Sequence, residues 1–171
     1  MILECAPAIA TVPQVPVYVV PSERVVHRFF DTSPISPSGR YLALFRLPYA
    51  DRSPGPGDSG DVVLVDLHTG GERIVERSAG WEMQVGANVQ WGASDDELYF
   101  NAVDPATWRS FTVQANPFTG ARRELDGHVF MVSSDGAWLA SHDLVKSRLA
   151  LPGYGVVVPD ELVPRSAGPV R

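Results

Sequence analysis

The sequence predicts an all-β fold built from repeated antiparallel units. Three observations carry this: short runs rich in Val, Leu, Tyr and Phe, abundant turn residues between them, and internal similarity among three segments. The 171 residues include 15 Gly and 15 Pro, and turn formers at that density between short apolar runs mark an all-β chain. No long helical periodicity competes. Apolar content of 44% and charged content of 20% lie near globular averages, which argues against wholesale disorder.

Each similar segment is an apolar residue, a tight polar turn and a strand. They begin Ile35-Ser36-Pro37-Ser38-Gly39, Trp91-Gly92-Ala93-Ser94-Asp95 and Val132-Ser133-Ser134-Asp135-Gly136. Ser, Asp and Gly supply side-chain-to-backbone hydrogen bonds and the positive φ of a hairpin, and the flanking apolar residues form its two strands. A further strand follows in the first two units, over residues 61–67 and 110–115, and each reaches a Thr-Gly turn, Thr69-Gly70 and Thr119-Gly120. Short runs at 72–75 and 122–125 complete four strands per unit. Ile35, Trp91 and Val132 are 56 and 41 residues apart, the first interval lengthened by a Pro/Gly-rich loop over residues 47–60. Four antiparallel strands at about this repeat length describe a β-propeller blade, a meander with its first strand innermost.

These hairpins, with Val63-Leu64-Val65-Asp66-Leu67-His68-Thr69-Gly70, resemble the Ser-Pro-Asp-Gly and Asp-Leu-x-Thr-Gly signatures of TolB-like, WD-repeat-like propellers. That superfamily includes oligogalacturonate lyases and the propeller domains of prolyl oligopeptidases. The resemblance runs from about residue 32 to residue 141. It implies a ring of six or seven blades, and this chain holds three to four units, so the expectation is a partial propeller whose ring is not closed. The fold it implies is specific; the function is not, because one scaffold hosts protein binding, peptidase gating and sugar chemistry.

The chain divides accordingly into N-terminal strands at 1–31, blade units at 32–80 and 81–126, and an incomplete unit with a tail at 127–171. Residues 15–20 and 24–30 read as strands separated by Pro21, available to close the ring of a longer protein. In the third unit, residues 143–151 are polar and irregular, residues 154–158 read as its third strand, and no fourth follows. Open blade edges predict self-association.

A formal charge of −6 without a Lys/Arg cluster gives no electrostatic footprint for nucleic acid or for an anionic membrane. The single Cys5 permits no internal disulfide and fits a reducing compartment. No signal peptide and no apolar run of about 18 residues is evident, so a cytoplasmic location is expected.

Residues 81–91 alternate without error between apolar and polar or Gly, which predicts a strand with Glu82, Gln84, Asn88 and Gln90 on one face. Its start would lie near the mouth of a central channel. The corresponding approaches in the other units contain His27, Arg28 and Asp31, and His128. The candidate ligand-binding set is therefore His27, Arg28, Asp31, Gln84, Asn88 and His128, with the solvation of a water-filled channel as its plainer role. No catalytic or metal-ligating residue is assigned, and no cofactor is expected. A divalent metal such as manganese enters only through the resemblance to the lyases, whose site uses three histidines and a glutamine. Their clustered Gln-x-x-His-x-His spacing is absent here.

Gly57-Asp58-Ser59-Gly60 is similar to a protease nucleophile loop only as a tetrapeptide and is read as a loop tip. Trp108-Arg109 is read as packing between units, and His142-Asp143 with Lys146 and Arg148 as a solvated loop. Walker, Rossmann, zinc-ligand and glycosylation motifs are absent. The leading expectation is a binding or scaffold module for protein, peptide or acidic oligosaccharide. The alternatives are the N-terminal half of a lyase-like carbohydrate enzyme and the propeller portion of a prolyl-oligopeptidase-like hydrolase.

Overall fold

The computed structural model describes residues 14–15 and 17–166. Cys5 and the residues around it lie outside that range, as does the end of the tail. Among the described residues the fold is mostly antiparallel sheet, with three separate sheets of four, four and two strands, none closed on itself. The first contains β1 (Val25–Val26), β2 (Tyr41–Arg46), β3 (Gly60–Asp66) and β4 (Glu72–Ser78) in sequence order. The second repeats that order with β5 (Gln90–Trp91), β6 (Leu98–Val103), β7 (Ser110–Ala115) and β8 (Arg122–Asp126). A two-stranded ribbon of β9 (Met131–Val132) and β10 (Leu139–Ala140) follows, then the helix α1 (Leu144–Ala150) and a 3-10 turn at Asp160–Leu162.

The three turns read from the sequence form equivalent hairpins. Ile35 faces Leu42, Trp91 faces Leu98 and Val132 faces Leu139, each seven residues on. One backbone bond closes each: Ser36 N–H to Tyr41 at 2.8 Å, Gly92 N–H to Glu97 at 2.8 Å, and Ser133 N–H to Trp138 at 3.0 Å. In the first and third, the leading serine hydroxyl also accepts from the backbone N–H five residues later, and Gly39 and Gly136 supply the positive φ. The Thr-Gly turns match as well. Asp66 accepts from the N–H groups of His68 and Thr69, and Asn116 from those of Phe118 and Thr119.

Side-chain alternation then assigns the faces. Ala43 and Phe45 of β2 and Val62 and Leu64 of β3 pack on Leu98, Phe100 and Ala102 of β6 and Phe111, Val113 and Ala115 of β7, forming the main core between the two large sheets. Burying a side chain such as Phe45 or Phe100 contributes roughly 1.5–3 kcal/mol. A Cβ on Gly80 would lie 2.5 Å from the Ala102 backbone, so only glycine permits the approach of the connecting segment to β6. The opposite face of the first sheet, Leu42, Leu44, Val63 and Val65, is buried against Val20, Val25 and Leu67. The opposite face of the second sheet carries Asn101, Val103 and Thr112 toward the third unit, where Leu144 and Val156 complete a small cluster with Val103 and Trp108.

Four expectations are corrected. Among the described residues before Phe30, strand pairing is confined to Val25–Val26, which pairs with Arg46 and Phe45. Arg24 sits at φ 58°, outside the β region, and the described part of residues 15–20 is not a strand. The alternating stretch 81–91 is strand only at Gln90–Trp91, because Glu82 and Gly86 bond each other in a tight turn and Gly86 and Asn88 both adopt positive φ. Residues 143–151 hold α1, with Asp143 as N-cap accepting from Val145 and Lys146 N–H. Residues 154–158 form no strand. Among the described residues, no helix is long and apolar enough to cross a membrane.

Candidate functional site

Three segments lead into the hairpins, at residues 27–34, 81–89 and 126–130, and they meet. The Phe130 carbonyl oxygen accepts from Arg28 Nη1 of the first unit and from Asn88 Nδ2 at 3.1 Å and Gln90 Nε2 at 3.0 Å of the second. Immediately upstream, the Val129 carbonyl accepts from Asn88 Nδ2 at 2.5 Å and Asn101 Nδ2 at 3.0 Å. The Val129 N–H donates back to Asn101 Oδ1 at 2.7 Å, and the Val132 N–H donates to Gln90 Oε1. Side-chain amides of the second unit thus do for the segment entering β9 what a neighbouring strand would otherwise do.

Arg28 is 4% exposed. Its guanidinium pairs with Asp31 Oδ2 at 2.9 Å and lies 4.9 Å from the Phe130 ring centroid, so the charge is met by a carboxylate and an aromatic face. Glu82, also buried, accepts from the Gly155 N–H through Oε2. Burial raises its pKa, opposed by that hydrogen bond and by Arg28. His27 bonds the Thr32 carbonyl at 2.9 Å through Nε2, and burial lowers its pKa. His128 meets His142 edge to face at 4.9 Å, and His142 meets Phe130 at 5.1 Å. Burial, with the neighbouring His142 adding to it, brings His128 down to about 4.

Arg28, Glu82, Asn88, Phe130 and His142 line a cavity of about 270 Å³, whose other walls include Phe29, Val85, Leu151 and Tyr154. Buried polar side-chain atoms without a protein partner occur on three of its lining residues, Arg28, Asn88 and His142, and on three others. Among the described residues these are His27 Nδ1, Arg28 Nε, Thr32 Oγ1, Asn88 Oδ1, His128 Nε2 and His142 Nδ1. Each such atom costs about 1–3 kcal/mol.

Of the six residues expected at the mouth, the structure therefore brings Arg28, Asp31 and Asn88 together, with His27 and His128 beside them. Gln84 is not part of the group: the turn between Glu82 and Gly86 leaves it exposed, its amide beside Gly153. Sequence reasoning passed over Glu82 and Gln90 as site members, Phe130 as a shared acceptor, and His142. The alternation of 81–91 did mark Glu82 and Gln90 as polar positions, but their burial depends on the third unit closing over them.

The remaining motifs are structural. Trp108 packs on Val103, Leu144 and Val156, and Arg109 pairs with Glu124 at 2.7 Å. Asp58 is held by the Gly55 N–H, the Tyr49 hydroxyl and Arg52, while Ser59 Oγ donates to the Gly57 carbonyl. Among the described residues, no group of three or more His, Cys, Asp or Glu is placed to hold a metal ion. Comparison of the chain with protein-family models, with curated proteins and with solved structures finds no match in any of the three.

Proposed function

We propose that the chain is a partial β-propeller, its three units consecutive blades, and that it acts as a binding module through the mouth where they converge. The observation that carries this is the meeting of all three entry segments on the Phe130 carbonyl beside a lined cavity. The repeated hairpin offset and the repeated strand order support it. So does the direction of the faces. Tyr41, one residue before the hairpin leucine Leu42, packs at a tilt against Phe118 of the following unit, the ring centroids 4.9 Å apart. Trp138 holds the same place before Leu139 and is 77% exposed, as a blade face awaiting its successor would be. Binding is favoured over catalysis because Arg28, Asn88 and Gln90 are committed to backbone carbonyls, which suits a rigid receptor wall. The test is an experimental structure of the protein as its host produces it. A ring of four-stranded sheets with these units in succession is expected; sheets that end at the third unit with solvent on Trp138 would overturn the reading.

A further inference from the structure

A second cavity lies where the loop at residues 47–60, the turn between Glu82 and Gly86, and the segment after α1 come together. Its volume is about 310 Å³, and Pro54, Met83, Pro152 and Tyr154 line it with apolar surface, beside Ser53 and Arg148. The wall around Tyr154 is held by its own backbone. Tyr154 N–H donates to the Leu151 carbonyl at 3.1 Å, Gly155 N–H to Glu82, and Val156 N–H to the Leu144 carbonyl at 3.1 Å. Gly153 and Gly155 both adopt positive φ, and a Cβ on Gly155 would lie 2.3 Å from the Leu144 carbonyl oxygen, so the turn that presents Tyr154 requires glycine. The space is preformed, as ligand cavities usually are.

Arg148 is the one charged side chain among the described residues that line it. It is exposed, and among the described residues its guanidinium has no carboxylate, carbonyl or hydroxyl partner. Apart from Arg165, the other described arginines all have one, or an amide oxygen in the case of Arg123. Ser53 and Tyr154 add hydroxyls to the wall, and the amide of Gln84 lies beside Gly153.

An unpaired guanidinium in a chain of net charge −6 is matched by an anion. It holds a planar carboxylate through two parallel N–H···O bonds. A phosphate monoester carries up to about two negative charges at pH 7 and would leave its surplus against apolar walls, and an ammonium would meet like charge. The proline rings, the Met83 side chain and the Tyr154 ring call for an apolar body.

We propose that this cavity binds a small organic monocarboxylate, its apolar body against Pro54, Met83, Pro152 and Tyr154 and its carboxylate on the Arg148 guanidinium. Neither the mouth nor the closure of a ring is needed for this.

The probes are phenylpropionate, phenylpropanol and phenyl phosphate, which share a ring and differ in charge. Each is titrated into the intact protein at pH 7 and followed by protein-observed NMR at the Met83 methyl and the Tyr154 ring. Phenylpropionate is expected to saturate with a Kd of about 1 mM or tighter, as suits a ligand of its size, and the other two to bind at least tenfold more weakly. Arg148→Gln, at an exposed position without a partner, should keep the fold and bring phenylpropionate down to the level of phenylpropanol. Arg165→Gln, at the other unpartnered arginine, should change nothing. Phenylpropanol or phenyl phosphate binding as tightly as phenylpropionate, or Arg148→Gln leaving phenylpropionate unchanged, overturns the carboxylate assignment. No shift at Met83 or Tyr154 with any probe overturns the site itself, and the structural test of the blades stands apart from each of these results.

Discussion

The side-chain amide of Asn101, on β6, pairs with both backbone groups of Val129: Nδ2 donates to the carbonyl at 3.0 Å and Oδ1 accepts the N–H at 2.7 Å. Val129 is fully buried, yet it lies in the entry segment rather than in a strand. The third unit is therefore attached to the second sheet by a side chain that imitates a strand edge, reinforced by Thr112 Oγ1 donating to the Gly127 carbonyl at 2.9 Å.

Removing that imitation should be costly. Asn101→Ala leaves the Val129 N–H buried without a partner, and the carbonyl keeps only Asn88, so a loss of about 2–3 kcal/mol is expected in urea unfolding. Asn101→Asp keeps the acceptor but sets a buried carboxyl oxygen against the Val129 carbonyl, and the same experiment at pH 7 should find it at least as destabilised as Asn101→Ala.

Stability should fall in acid. His128, brought down to about 4 in the folded protein, is neutral there at pH values where the unfolded chain, with its ordinary value of 6.5, takes up a proton. The unfolded state then binds more protons, so the stability present above about 6.5 is lost as pH falls toward about 4. His27 and His142 are lowered too and act in the same direction. Unfolding free energies between pH 7.5 and pH 4.5 should show this slope, and His128→Gln should flatten it. An unchanged slope in that variant would remove His128 as its source.

Glu82 works with the opposite sign. Burial raises its pKa above the usual 4.5, so the unfolded state releases the proton first and the folded state loses relative stability as pH rises from 4.5 through the raised value. Glu82→Gln keeps a carbonyl acceptor for the Gly155 N–H without a buried charge, and it should be more stable than the parent at pH 7. Glu82→Leu, which orphans that N–H, should be less stable.

Exposed apolar side chains at the end of the array predict association. Trp138 and the edge of β10 present an unpartnered surface, and sedimentation velocity of the isolated chain should show concentration-dependent self-association. Trp138→Lys should abolish it while changing the unfolding free energy by no more than about 0.5 kcal/mol.

The approach of the connecting segment to β6 should be intolerant of a single carbon. At Gly80 the backbone is not in the left-handed region, so Gly80→Ala tests sterics alone, with its Cβ driven into the Ala102 backbone. A cost of about 1–3 kcal/mol is expected by thermal unfolding.

Turn chemistry is local, and for that reason it could be read along the chain. Ser36 and Gly39, Ser133 and Gly136, Asp66 and Gly70, and Asn116 and Gly120 make their hydrogen bonds within six residues, so their types and spacing announced the hairpins and most of the strands of the two large sheets. The faces of β2, β3, β6 and β7 could not be read in the same way, because both faces of these strands are largely buried and runs such as Val62-Val63-Leu64-Val65 do not alternate. Asp143 capping a seven-residue helix was harder to see, since fewer than two turns cannot display a period. Local pattern misled at 81–91, where the perfect alternation is interrupted by two residues at positive φ.

The mouth was legible only as a set of polar residues near strand starts. That Arg28, Asn88 and Gln90 share one acceptor, that Glu82 and His142 join them, and that Gln84 turns away all depend on contacts between positions about 40 to 100 residues apart. Such contacts arise once the sheets have packed and water has been excluded. A polar side chain then keeps only the partners within its reach, and no pattern along the chain records which those will be.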